Sequence, residues 1–581
     1  MSVLTMVPPG VVLLALALVI AVLPRRAGHA LGIGAALALL AWSLVVPEGT
    51  ALATEFLGFD AVLLHVDAFS RLMGMIFGII AAVAILYSYA SNASSRQTGI
   101  AVSYVATATG AVFAGDWLTL VFFWELMAVT STLLVWHYGG PAVRAGYRYA
   151  IAHGIGGTLL MGAVLWHYTT AGTFLFTGEG MTAVVPAVMA AVGIGVNVGF
   201  VGLHVWLPDT YPRPHFAASV FLCVFTTKTG VYGMYRAFPE GHIWIAYMGG
   251  AMAVFGAFYA LFQDDMRRLL SYHIQSQVGY MIAGVGIGSA LATAGAFGHV
   301  FNHILYKALL FMTAGVVIYR TGQQRLSNLG GLASKMPITA LAFTIAALSI
   351  AGFPGFNGFV SKGMVTAAAH YEHIDALFWL LMLGGVGTFM SFIKFGYYAF
   401  FHGEYDGLVR DANRGQTVAM LSVAALCVIY GVFPDALFSI LPFAGEIDPH
   451  PFTISHITEV LILAGTGLGG FFAVKTLLKR AGQLPDLDAV YEPVTFYGTR
   501  GVVVGITELY AAVDRAAVTL ANASTQVLRQ PERVVTSIPV VRLSVSRRDE
   551  GVTYPLRAGI GISVLVLVVA VSTTLVLLAV Y

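Results

Sequence analysis

Two stretches, HVWLPDTYPRPHFAASVFLCVFTTK over residues 204–228 and LSIAGFPGFNGFVSK over 348–362, decide how this chain is read. Each is an apolar segment interrupted by helix breakers, and each ends on a lysine. In the first, Pro208, Pro212 and Pro214 remove backbone donors and crowd the preceding turn, and Lys228 follows. In the second, Gly352, Pro354 and Gly355 break the run ahead of Lys362. Interrupted backbone at membrane depth survives only where it lines protein or a watery cavity. A pair of such breaks in corresponding positions points to a transporter built from two inverted repeats, with the working site at the breaks. Two five-helix repeats are expected, over 98–265 and 266–402.

The rest of the chain requires a bilayer around these segments. Of its 581 residues, 58% are hydrophobic and 10% charged, and the mean hydropathy is +0.82, far beyond the needs of a water-soluble core. Apolar stretches long enough to cross about 30 Å of hydrocarbon fall at 8–24, 29–47, 67–91, 98–114, 116–137, 145–171, a broken 184–236, 242–263, 269–290, 296–320, 336–353, a broken 354–371, 374–402, 416–434, 455–478 and 558–580. The predicted fold is an all-α polytopic membrane protein of about 14 to 16 transmembrane helices. Its parts are N-terminal helices over 1–97, the two repeats, C-terminal helices over 403–480, an amphipathic lateral segment over 481–555 and a final anchor over 556–581. The opening MSVLTMVPPG carries no positively charged leader and reads as the start of the first span. With the N-terminus outside, Arg25, Arg26, Arg96, Arg144, Arg148, Arg410, Arg414, Lys475, Lys479 and Arg480 share one side. The positive-inside tendency makes that side cytoplasmic and places the chain in the cell membrane. Arg267, Arg268, Arg320, Arg325 and Lys335 violate this pattern.

A charge at the bilayer centre costs at least about 2.5 to 3.5 kcal/mol, so ionisable residues inside the spans carry the functional signal. Glu125 lies in the middle of 116–136, Lys228 inside 219–235, Lys362 just past the second break, and Lys394 in GTFMSFIKFGYYAFF, 387–401. His299, His303 and Lys307 recur every four residues in FGHVFNHILYKALLFMTAG, 297–315, and so share one helix face. Lys394 stands nearer a helix end, where a snorkelling lysine competes with a transporting one. His204 and His215 flank the first break and are read first as caps, as is Asp67 ahead of the third span. His137, His153, His167 and His402 read as loop or interface residues. GTGLGG, 465–470, sits within an apolar span with no preceding strand and reads as helix packing, not a nucleotide loop. The net charge of +2 is dispersed, which gives no footprint for nucleic acid. Cys223 and Cys427 form no CxxC or Cys/His cluster, so no metal site and no resident cofactor is expected.

The motifs VDAFSRL (66–72), FFWELM (122–127), HVWLPDTYP (204–212), TTKTGVYGMYR (226–236), DDMRRLLSYHIQSQVGY (264–280), FNHILYKALLFMTAG (301–315) and GFPGFNGFVSK (352–362) resemble one family. It comprises the antiporter-like proton-transporting subunits shared by respiratory complex I, membrane-bound hydrogenases and multisubunit Na+/H+ antiporters. The resemblance covers about residues 60 to 410. It implies that Glu125 and Lys228 form an ion pair gating proton entry, that Lys307 sits on the central axis with His299 and His303 as relay groups, and that Lys362 belongs to the lysine-type variants of the last site. The chain departs from the family where TYPRPHFAASV, 210–220, introduces Arg213 and His215 beside the break. It departs again at Arg267, which replaces a common lysine, and at His273, which replaces a serine. Arginine does not release its proton near neutral pH, so Arg267, like Arg213 and His215, is expected to modulate electrostatically while His273, His299, His303 and Lys307 carry the central relay.

The expected function is a subunit, not an enzyme on its own, that conducts H+ along this Glu/Lys/His chain within a larger membrane complex, with Na+ as the alternative cargo. Two other readings stand beside it. One is a proton channel of a redox-driven or inorganic-carbon uptake complex; the other is a scaffold whose buried charges only fix helix packing. Within 481–555, Ile506, Leu509, Val513, Leu520 and Val527 recur at helical intervals, which describes an amphipathic helix on a membrane or protein surface; the resemblance implies a lateral helix that braces a neighbouring subunit, and an ordinary cytoplasmic extension is the alternative.

Overall fold

The computed structural model describes residues 7–56, 58–482 and 484–529, in two units that part after Asp486. The expected final anchor lies outside the described residues. The first unit opens with α1 (Pro9–Val22) and α2 (Arg25–Val45), followed by α3 (Ala68–Ala90), α4 (Ser95–Val112), α5 (Trp117–Trp136) and α6 (Pro141–Ala171). Next come α7 (Val184–Val198), the short α8 (Trp206–Thr210) and α9 (Phe216–Leu222), then α10 (Phe225–Ala237), α11 (Ile243–Leu261), α12 (Met266–Ile287) and α13 (Ala290–Thr321). After the single turn of α14 (Leu332–Lys335) follow α15 (Pro337–Ala351), α16 (Asn357–Tyr371), α17 (Asp375–Gly396), α18 (Arg414–Val432), the short α19 (Asp435–Phe438) and α20 (Ile454–Ala481). Ten of these segments are long and apolar enough to cross a membrane. The second unit holds α21 (Asp488–Arg529), 42 residues and so about 63 Å long.

The all-α expectation needs a correction. Residues 49–66, between the second and third spans, form an antiparallel hairpin of β1 (Gly49–Phe56) and β2 (Phe59–Val66). Gly58 takes φ +82°, a left-handed conformation that favours glycine and suits a tight hairpin connection. The strand β2 buries Ala61, Val62, Leu64 and Val66 and hydrogen-bonds the start of α5 through Val62 N to Asp116 Oδ2, 2.7 Å.

Contacts between chain ends place the helices in alternation and remove the sidedness violation. Arg25 reaches Ala93 O at 3.0 Å, Asn92 reaches Tyr319 Oη at 3.0 Å, and Asn413 donates to Ala90 O at 2.8 Å. Met266 N bonds Gln324 O, and Gly331 N bonds His402 O. At the other end, Gly115 N meets Val62 O, Trp117 N meets Phe174 O, and Met181 N meets Ala237 O. Arg267, Arg268, Arg320, Arg325 and Lys335 therefore lie at the same end as Arg25 and Arg414. The expectation miscounted twice, in opposite senses. The segment 184–236 goes up as α7 and α8 and returns as α9 and α10, because Pro212 and Pro214 sit in the turn at the basic end and not halfway along a helix. Conversely, α15 and α16 form one traverse interrupted at 352–356. His299 bonds Ser361 at 2.9 Å and Asn302 bonds Asn357 O at 2.8 Å, so α16 continues along α13 in the direction α15 began.

Asp67 caps α3 as expected, accepting from Ser70 N at 2.8 Å, and it also pairs with Arg236 at the end of α10. Burial alone would raise the Asp67 carboxyl, and the Arg236 guanidinium, the Ser70 N–H and His65 together outweigh it and hold the group below the usual carboxylate range. A depressed acid stabilises the fold above its unfolded pKa, and that contribution is lost as pH falls through the folded value. Asp67→Asn is expected to cost about 2 kcal/mol, read as a lower unfolding temperature in detergent at neutral pH, with the difference from the parent shrinking in acid.

Candidate functional site

Three of the four lysines singled out in the sequence share one local design. The helix α9 stops at Cys223 and α10 restarts at Phe225, which leaves carbonyls at the joint without their helical donors. Lys228 turns back into this joint and donates to Cys223 O at 2.6 Å and Thr227 Oγ1 at 3.0 Å. In the second broken helix, Lys362 donates to Ile350 O at 2.8 Å, the end of α15, and lies 4.7 Å from the Tyr280 ring centroid. Lys394 does not snorkel. It is 8% exposed and donates to Leu261 O and Gln263 O, at 2.8 and 2.6 Å, where α11 ends. The negative end of a helix and its orphan carbonyls suit a cation in all three cases. Lys307 differs, since its 3.2 Å bond to Leu270 O falls inside α12. Among the described residues none of these lysines is in an ion pair.

The Glu125–Lys228 pair implied by the resemblance is accordingly not formed. Glu125 is half-buried and lies across α6 at Gly157, where an added β-carbon would fall 1.6 Å from Oε1. The glycine is what lets the carboxylate rest there, and its i, i+4 neighbours gave no hint of it.

The histidines occupy the space between the lysines. His299 bonds Ser361 Oγ at 2.9 Å and Tyr306 Oη at 3.2 Å. His273 and His303 are fully buried, and neither ring nitrogen of either has a hydrogen-bond partner. Lys228, Lys307 and Lys362 all act electrostatically on His303, and Lys307 and Lys362 on His273, so the three lysines converge on these rings. Sequence reading missed Asn302, Asn357 and Ser361, which stitch α13 to α16 beside His299, and Tyr306, which bonds His299 within α13. His153, read as a loop or interface residue, is instead buried within α6, where it stacks on Tyr149 at 3.9 Å and meets Trp206 edge-on at 4.4 Å.

The expected modulators are structural at the turn. Arg267 is 4% exposed and donates to Pro214 O at 2.7 Å and Ser219 Oγ at 3.2 Å. His215 caps α9, its Nδ1 accepting from Ala217 N at 3.2 Å. Asp209, at the end of α8, lies 4.0 Å from Arg213 and 3.1 Å from Arg148. Pro208 fits within the short α8, Pro212 and Pro214 shape the turn after it, and Gly352 ends α15 with φ +84°.

The family described as NADH:quinone oxidoreductase/Mrp antiporter, transmembrane, matches residues 114–391. The chain is 30% identical over 404 residues to a Na(+)/H(+) antiporter subunit of Alkalihalophilus pseudofirmus, covering 65% of this chain and 81% of that one. It is 27% identical over 442 residues to a longer Na(+)/H(+) antiporter subunit of Staphylococcus aureus, covering 68% of this chain and 54% of that relative. Among solved structures, a chain of the membrane-bound sulfane sulfur reductase, an archaeal respiratory membrane complex, superposes with TM-score 0.69 and 23% identity over 96% of this chain and 99% of the other. That likeness is one of fold.

Proposed function

Because the chain belongs to the NADH:quinone oxidoreductase/Mrp antiporter transmembrane family, we propose that it is a proton-translocating subunit of a multisubunit complex in the cytoplasmic membrane. Its similarity to the Na(+)/H(+) antiporter subunit of Alkalihalophilus pseudofirmus favours exchange of H+ against Na+. One observation carries the reading: the four lysines are buried and held by carbonyls and a hydroxyl, with no carboxylate in an ion pair among the described residues, and Lys228, Lys307 and Lys362 lie about His273, His299 and His303. A lysine locked to a carboxylate is fixed as an ammonium. One held by carbonyl oxygens keeps N–H donors for them in both its protonated and neutral forms, so it can pass a proton without leaving its partners bare. Open ring nitrogens on His273 and His303 are sites that water satisfies in a polar interior, and they link Lys228, Lys307 and Lys362 toward Lys394.

A lysine at a broken helix in each half, Lys228 and Lys362, supports the two-repeat reading. The gathered arginines and lysines at one end make that end cytoplasmic. The long, exposed α21 is read as the lateral brace of a neighbouring subunit. The test places Lys228→Ala and Lys362→Ala separately in the whole complex, in vesicles, and measures proton movement driven by a Na+ gradient. Each is expected to lower flux about a hundredfold; flux equal to that of the parent for both variants overturns the reading.

A further inference from the structure

Asp486 comes from the stretch just past α20, at the start of the segment read from the sequence as amphipathic and lateral, yet it is 5% exposed. Its Oδ1 lies 3.4 Å from His204 Nε2, and its Oδ2 accepts from Tyr272 Oη. Pro485 O, immediately before it, accepts from Tyr259 Oη at 3.4 Å. Two elements thus meet the carboxylate, the interruption after α7 through His204 and α12 through Tyr272, while α11 holds the preceding carbonyl through Tyr259. Taking a carboxylate out of water costs several kcal/mol on the order of magnitude of measured buried ions, so a surface linker would not place it here without a return.

The groups behind it lead toward Lys228. His204 is fully buried against Phe255, ring centroids 4.8 Å apart; neither of its ring nitrogens makes a hydrogen bond among the described residues, and its approach to Asp486 is a charge-pair distance. Gln275 Nε2 bonds Gly199 O at 3.0 Å in the same interruption. At the end of α7, Asn197 has both amide atoms unpartnered and packs on α10 at Gly230, two residues past Lys228, where an added β-carbon would meet Asn197 Cβ at 3.4 Å. Asn197, Gln275 and His204 therefore gather at the interruption after α7, which packs on α10, the helix that carries Lys228. The charged and titratable groups around Asp486 include His204, Tyr272, Tyr259 and Arg268, which reaches the Tyr272 hydroxyl.

We propose that His204 and Asp486 form the port through which the buried lysines exchange protons with the basic end of the bundle, so that the C-terminal segment supplies the acid of the pathway. A proton on His204 Nε2 passes to Asp486 Oδ1, leaving a neutral imidazole and a carboxylic acid. The acid releases it to solvent, and the imidazole, which keeps its proton on Nδ1, turns over to present its bare nitrogen in the direction of Lys228 before it takes the next proton. Asp486 is an exchanging group in this scheme and Tyr272 a positioning residue that favours its ionised form.

The proposal rests on the proton-conducting reading, and the test separates the two. Proton flux is measured across a pH series in vesicles holding the complete complex, with assembly checked on native gels. Asp486→Asn and His204→Gln are each expected to lower flux about tenfold or more, the double variant to be no worse than either single one, and Asp486→Glu to retain most of it. Tyr272→Phe removes a hydrogen bond to the charged form, so the acid limb of the flux profile moves to higher pH. Parental flux in Asp486→Asn together with loss in Lys228→Ala overturns the port and leaves the lysine pathway standing; parental flux in both overturns both. If Asp486→Asn does not assemble, His204→Gln decides: an assembled variant with full flux, or a Tyr272→Phe profile that does not move, overturns the port.

Discussion

Proton flux through a Lys307→Ala variant is expected to fall by about two orders of magnitude while the protein still folds. The asymmetry among the lysines gives this variant its force. Lys228, Lys362 and Lys394 each cover carbonyls where a helix has stopped, so removing any of them strips a donor from an orphan acceptor and disturbs the joint as well as the proton path. The Leu270 carbonyl that Lys307 contacts lies within α12 and keeps its own helical donor when the ammonium goes. Loss of flux at Lys307 therefore reports on conduction and not on a collapsed break. Lys307→Arg sharpens the point. Arginine keeps the positive charge beside His273 and His303 but does not release a proton near neutral pH, so it is expected to be as inactive as alanine. Vesicle flux measured with a pH-sensitive dye decides; near-parental flux in Lys307→Arg means that this position serves as a fixed charge and the relay runs elsewhere.

The buried lysines and histidines were legible because charge inside an apolar run is costly enough to be informative by itself, and the His299, His303, Lys307 spacing fixed their common face. The same sequence misplaced the breaks, for a physical reason. Proline marks where a helix cannot continue, and the chain used Pro212 and Pro214 for an end turn, while the joint that matters at Cys223 and Val224 contains neither proline nor glycine. Lys228 itself satisfies that joint, so the breaker is a side chain five residues downstream. The orientation of Glu125 depends on the absence of a side chain at Gly157 on another helix, a pairing across 32 positions that no local pattern encodes. The hairpin at 49–66 was hidden by its brevity and by apolar neighbours. Asp486 was hidden by its surroundings, since a solvated linker is the ordinary reading of a charged stretch after a last apolar run. A carboxylate folded back under Tyr272 is visible only once α11, α12 and the interruption after α7 are assembled around it.

Replacing Arg267 with methionine, which keeps the length and removes the charge and donors, is expected to destabilise the protein by about 3 kcal/mol. Arg267 is the tie between α12 and the turn that joins the rising and returning halves of 184–237. Its Nη1 holds Pro214 O and Ser219 Oγ, and the Ser219 hydroxyl in turn donates to Tyr211 O at 2.7 Å. Pro214 and Ser219 are buried, so water does not replace the lost donor cheaply. With the turn released, α9 loses its fixed entry angle and the joint before Lys228 loses its anchor, and flux should fall along with the unfolding temperature. Arg267→Lys, with one compact ammonium in place of a fork, is expected to recover part of the stability. It also puts a titratable group beside the turn, and if Arg267 acts only by holding that turn, flux in that variant should track its recovered stability and not exceed the parent. An unchanged unfolding temperature in Arg267→Met would show that the turn holds without it.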